Sequence, residues 1–184
     1  MTTATTNGSP GKATARRPPP GNITRVERLD DLVGGHPGAL RAIFAAGATP
    51  DPADLPGSWS GRILALEPAR NLSSLMRPVM QAIHGGGPLF RGKTFFSDGT
   101  GHNHVFSGDG ARFAFEPGLS ELDGGPAIIL TYDAPRLENR WPVRNLRGEM
   151  RHVGGRIAMG PVLFSATRAG ERRLLFWFGL ERDL

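Results

Sequence analysis

The sequence predicts a mainly all-β domain, an antiparallel sandwich or closed barrel of about eight strands. Three observations point there. Gly 26 and Pro 16 make 42 of the 184 residues, a density of turn-formers that argues against a helical bundle. From Gly57 onward the apolar residues change to the two-residue period of strands. The gaps between the alternating runs carry turn chemistry: Ser97-Asp98-Gly99-Thr100-Gly101, Ser107-Gly108-Asp109-Gly110, Asp123-Gly124-Gly125 and Gly154-Gly155. Such a length fits one domain of ordinary size with its own core.

Taken in order, residues 1–23 are dominated by Thr, Ala, Gly, Ser, Pro and Arg and end in Pro18-Pro19-Pro20-Gly21. They bury too little apolar surface to offset ordering entropy, so a disordered tail is expected, with residues 24–184 forming the single domain. Leu40, Ile43 and Phe44 stand at i, i+3 and i+4, predicting a short N-terminal helix that stops at Gly47. Ala48–Pro56 carries three prolines and reads as a linker. Strands are then predicted at about 58–67, 90–96, 102–107, 111–117, 126–133, 145–153, 156–165 and 172–181. The turns at Ser107–Gly110 and Gly154-Gly155 are short enough for hairpins. One stretch departs from the β pattern. Leu72, Leu75, Met76, Val79, Met80 and Ile83 form one apolar stripe on a helix between Asn71 and His84, kinked at Pro78. A helix inserted after the first strand packs over a barrel mouth as a lid, with Met76 and Met80 toward a ligand, or simply covers core surface.

Composition removes several function classes. With no cysteine there is no disulfide framework, thiolate zinc site, iron–sulfur cluster or cysteine nucleophile. No apolar run approaches the ~20 residues of a membrane helix, and the polar N-terminus shows no secretory h-region, so a cytoplasmic protein without membrane partners is expected. The net charge is +5, of which Lys12, Arg16 and Arg17 in the acid-free tail supply +3, leaving +2 on the body. Of the 22 bases, 20 are arginine and two are lysine, Lys12 and Lys93. No nucleic-acid signature accompanies the charge, and no nucleic-acid partner is expected. A homodimer is compatible with the composition.

The first strand is approached through Leu55-Pro56-Gly57-Ser58-Trp59-Ser60-Gly61-Arg62, after a short helix. Gly57-x-Trp59 at that position resembles the lipocalin signature. The later runs Gly92-Lys93-Thr94-Phe95, Gly101-His102-Asn103-His104, Asn139-Arg140-Trp141-Pro142 and Arg147-Gly148-Glu149-Met150-Arg151 look like bacterial lipocalin-like proteins of the calycin type. The resemblance covers about residues 38–182. It implies an antiparallel up-and-down barrel of eight strands whose Trp plugs the closed end, with an arginine near the last strand (Arg172, Arg173 or Arg182) stacked on it. It also implies an interior wide enough for one small ligand. The inserted helix and the missing disulfides depart from secreted lipocalins. Cysteine-free barrels of this kind resemble cofactor-independent cyclases and isomerases of natural-product pathways.

The candidate site residues follow from strand alternation. Arg147, Glu149 and Arg151 share one face of a strand, and Leu146, Met150 and His152 the other. Turned inward, the charged face would bind an acid or enolate, with Glu149 as general acid or base beside Arg147. Turned outward, it is a set of surface ion pairs. Tyr132, the only tyrosine, would donate to a ligand carbonyl or serve as packing. His102 and His104 share a strand face with metal-ligand spacing, but a third ligand is needed, and the one acid four or five residues after the second His, Asp109, lies in a Gly-flanked turn. They read better as polar groups of a cavity or rim, and no metal or other cofactor is expected. Trp141 would line the open mouth. His84-Gly85-Gly86-Gly87 imitates an esterase oxyanion loop, but no Gly-x-Ser-x-Gly elbow accompanies it. Neither a dinucleotide fingerprint nor a Walker loop occurs. The function expected is binding of a small, mostly apolar organic molecule in the barrel, with cofactor-free cyclase or isomerase activity. The alternatives are a non-catalytic carrier and a barrel binding haem or metal through His102, His104 or His152.

Overall fold

The computed structural model describes residues 26–67, 90–105, 108–165 and 170–183; of Gly108 and Asp109 only the backbone is described. The predicted tail and the helix expected between Asn71 and His84, with Met76 and Met80, lie outside these residues. So does His84-Gly85-Gly86-Gly87. A 3-10 turn at Leu29–Leu32 leads to helix α1 (Pro37–Ala46). Proline at its first position needs no N–H donor there, His36 Nδ1 accepts from Gly38 N at 3.1 Å, and Gly47 follows the last turn.

Eight strands follow, each within a few residues of its predicted place. They are β1 (Gly57–Leu66), β2 (Gly92–Phe95), β3 (Thr100–Val105), β4 (Gly108–Leu119), β5 (Pro126–Thr131), β6 (Leu146–Gly154), β7 (Ile157–Phe164) and β8 (Arg173–Arg182). Every strand pairs antiparallel with its successor, and β8 also pairs with β1. The choice between sandwich and barrel is thereby decided: the sheet closes on itself and leaves no free edge.

Closure divides most of the buried apolar residues between two cores, one on each side of the barrel wall, with Phe164 and Leu175 in a smaller third cluster. Inside lie Trp59, Phe95, Phe113, Phe115, Ile128, Leu130, Met150, Ala158, Val162, Phe178 and Leu180. Outside, the 3-10 turn and α1 press Leu29, Leu32, Leu40 and Phe44 onto Ala127, Ile129, Met159 and Trp177. Phe44 meets Trp177 edge-on at 5.9 Å between ring centroids. Burial of each such side chain stabilises by roughly 1.5–3 kcal/mol. The wall itself requires glycine at Gly160, where a Cβ would lie 1.7 Å from the Glu149 carbonyl oxygen on β6.

One end of the barrel is sealed by Trp59. Its indole N–H donates to the Leu55 carbonyl at 2.9 Å, and Phe95 meets it edge-on. Of the three arginines near β8, Arg182 covers the ring, its guanidinium 5.6 Å from the centroid. Arg182 also donates to the carbonyls of Asp54 and Pro56 at 2.8 and 3.1 Å, so one cation ties β8 to the segment leading into β1. Tyr132 and the 131–146 connection, which carries Trp141, stand at the opposite end.

Candidate functional site

The polar groups of the interior are set by β2. This strand pairs with both neighbours over only four residues, and its first residue, Gly92, has φ +148. A Cβ there would lie 2.0 Å from the Trp59 carbonyl oxygen, so only glycine lets the chain turn into the barrel so close to β1. The alternation that follows sends Lys93 and Phe95 inward and Thr94 outward. Lys93 sits opposite Trp59 on β1 and Asn103 on β3, which places the three in one inward row.

Lys93 is 2% exposed. Its ammonium donates to Asn103 Oδ1 at 2.5 Å and to the Tyr132 hydroxyl oxygen at 3.1 Å. Asn103 Nδ2 makes a longer approach to the same hydroxyl, 3.5 Å. Around the ammonium stand the rings of Phe113, Phe178, Phe90 and Tyr132, at 4.8, 5.1, 5.3 and 5.8 Å. The interior therefore holds a cation enclosed by π faces and joined to an amide and a phenol. Two donors in this group are not consumed by the bonds just named: the third N–H of Lys93 and the O–H of Tyr132, whose oxygen is the acceptor in both its contacts.

The sequence-derived candidates fall on both sides of the wall. Tyr132 belongs to the interior cluster. Arg147, Glu149 and Arg151 do not, because Leu146 and Met150 of the same strand occupy the inner face. The charged face points outward and is covered by the connection between β4 and β5. Glu149, fully buried, accepts from Ser120 Oγ, from the Glu121 backbone N–H at 2.8 Å and from Arg147 Nε at 3.1 Å. Arg151 forms a bidentate pair with Asp123 at 2.8 Å, donates to the carbonyls of Phe44 and Pro126, and stacks on the Phe44 ring. The arginine's hydrogen bonds hold the Asp123 carboxyl below the ordinary carboxylate range. An interior Arg–Glu–Arg cluster is thus replaced by an exterior clasp between the β4–β5 connection, β6 and α1.

His102 and His104 are also on the outer face. His104 Nε2 lies 2.8 Å from Thr94 Oγ1, and His102 packs edge-on against Phe96 beside an outer cleft of about 470 Å³ that reaches Arg112 and Arg136. Among the described residues no group of three His, Asp or Glu is placed to hold a metal. His152 is on the inner face but at the sealed end, 5.9 Å from Trp59 between ring centroids. Desolvation, and then the charge of Arg182, hold its imidazole below the usual histidine range. Trp141 is exposed in the 131–146 connection, 43% accessible. Lys93 and Asn103 were missed as site residues, although both lie in the runs that carry the family resemblance. The available signal was Lys93 itself, one of two lysines in an arginine-rich chain, sharing a strand face with Phe95.

No family model matches the chain, and no curated protein does. A solved structure does match, the crystal structure of a protein from Thermomonospora curvata. The TM-score is 0.51 at 15% identity, over 81% of this chain and 88% of the other. The likeness is one of fold. It supports the barrel architecture. Among the described residues no helix is long and apolar enough to cross a membrane.

Proposed function

We propose that this chain is a lipocalin-like barrel that binds one small, mostly apolar organic molecule in its interior, against Lys93, Asn103 and Tyr132. The observation that carries the reading is the polar cluster itself. Three hydrogen-bonding side chains converge within an aromatic lining, the pattern by which ligand sites fix orientation inside an apolar enclosure. The sealed end, with Gly57-x-Trp59 under Arg182, supports the lipocalin-like assignment.

A cofactor-free isomerase or cyclase is the second form of this reading, and one distance favours it. The Lys93 ammonium and the Tyr132 hydroxyl, 3.1 Å apart, are two preorganised donors that would stabilise an enolate oxygen as it forms. A carrier needs only the enclosure; an isomerase needs this donor pair against the reacting atom.

Fluorescence titration with the neutral apolar dye N-phenyl-1-naphthylamine tests the common core of both forms. Saturable one-to-one binding is expected, and Val162→Trp, which fills the interior, should abolish it while near-ultraviolet circular dichroism stays native. Absence of saturable binding, or binding that a folded Val162→Trp protein retains, overturns the reading.

A further inference from the structure

Resting on the interior-binding reading, we infer that the ligand is an acid, and that its carboxylate is neutralised by Lys93 and accepted by Tyr132. The argument begins with charge. The chain contains 17 acidic side chains. None of the ion pairs among described residues involves Lys93, whose polar partners there are Asn103 and Tyr132. Asp109, the one acid whose side chain is not described, pairs through its backbone with His104 on β3. The stretch from Pro68 to Leu89, which joins β1 to β2, contains no Asp or Glu.

A cation that is 2% exposed and has no anionic partner among the described residues is costly to bury, because desolvation is repaid only by a counter-charge with good geometry. Aromatic faces and an amide oxygen offset part of that cost. Among the described residues, one ammonium N–H and the adjacent phenol O–H are left without a hydrogen-bond acceptor. Two neighbouring donors, one of them cationic, match the two oxygens of a carboxylate through charge-assisted hydrogen bonds. A neutral ligand would leave the charge uncompensated. A cationic ligand would double it. The surrounding rings of Phe90, Phe113 and Phe178 specify an apolar body, aromatic or aliphatic, attached to that single acidic group.

Isothermal calorimetry with a matched pair decides the matter: 1-naphthoate and its neutral analogue 1-naphthamide, at fixed ionic strength. Wild-type protein should bind naphthoate at least about tenfold more tightly than the amide. Lys93→Met should remove that preference, bringing the two affinities to within about twofold of each other. The wild-type comparison stands alone if Lys93→Met fails to fold. A naphthoate affinity no greater than that for naphthamide, including no affinity for either, overturns the inference, as does a preference that survives in folded Lys93→Met. In those cases the neutral dye separates the two claims. Where the dye still binds in the interior, only the acid assignment falls; where it does not, the interior-binding reading falls with it.

Discussion

At the scale of single residues, the sealed end of the barrel sets a titration. The His152 ring lies near Trp59 on the inner wall, its Nε2 without a hydrogen-bond partner, and burial together with Arg182 disfavours the imidazolium. A histidine whose folded pKa lies below its unfolded value of about 6.5 contributes nothing differential while both states are neutral. As pH falls below that value the unfolded chain takes up the proton first. Stability therefore declines until the folded-state pKa is passed, and then levels. His152→Phe keeps an aromatic ring against Trp59 and removes the titration. Urea midpoints measured at about pH 7.5 and about pH 5.5 should differ less in this variant than in the wild type. An equal difference in the two proteins would show that other groups carry the acid sensitivity.

At the scale of elements, strand positions were legible in the sequence and strand faces were not. The eight strands are placed by their apolar patterning and by the Gly- and Asp-containing turns that separate several of them. Yet β7 is buried at every one of its eight positions, since the inner core lies on one side and α1 with its neighbours on the other. Alternation fixes which residues share a face; it fixes which face is inner only where one face is wet. The same ambiguity leaves the direction of the Arg147, Glu149 and Arg151 face open in the sequence, because a face covered by a folded-back connection is as dry as a core. Glu149 is the centre of that clasp. Glu149→Leu removes the acceptor of Ser120 Oγ and the Glu121 N–H and leaves Arg147 without its buried partner. A loss of about 3 kcal/mol in unfolding free energy is expected, the scale found when one partner of a buried ionic group is deleted. Dye affinity of the folded fraction should be unchanged, whereas a loss of binding with little loss of stability would return Glu149 to the interior site.

At the scale of the whole molecule, one sheet serves two cores, and the wall between them separates what stabilises the fold from what would recognise a ligand. The outer core, where Phe44 and Leu40 of α1 meet Trp177 and Met159, contains no member of the Lys93 cluster. The inner core places Lys93 among Phe90, Phe113 and Phe178, with Trp59 and Arg182 closing the end. At Gly160 the wall itself leaves no room for a side chain, since a Cβ there would lie 1.7 Å from the Glu149 carbonyl oxygen. Phe44→Ala should therefore cost about 3–5 kcal/mol, as for other fully buried aromatic truncations, because it empties the space under Trp177 and strips the Arg151 guanidinium of its stacking surface. The same variant should bind the neutral dye, and naphthoate over naphthamide, as the wild type does wherever it remains folded. Chemical denaturation and titration on one preparation measure both quantities. A matched loss of stability and ligand preference would mean that the helix side of the wall shapes the interior, and that the two cores act as one.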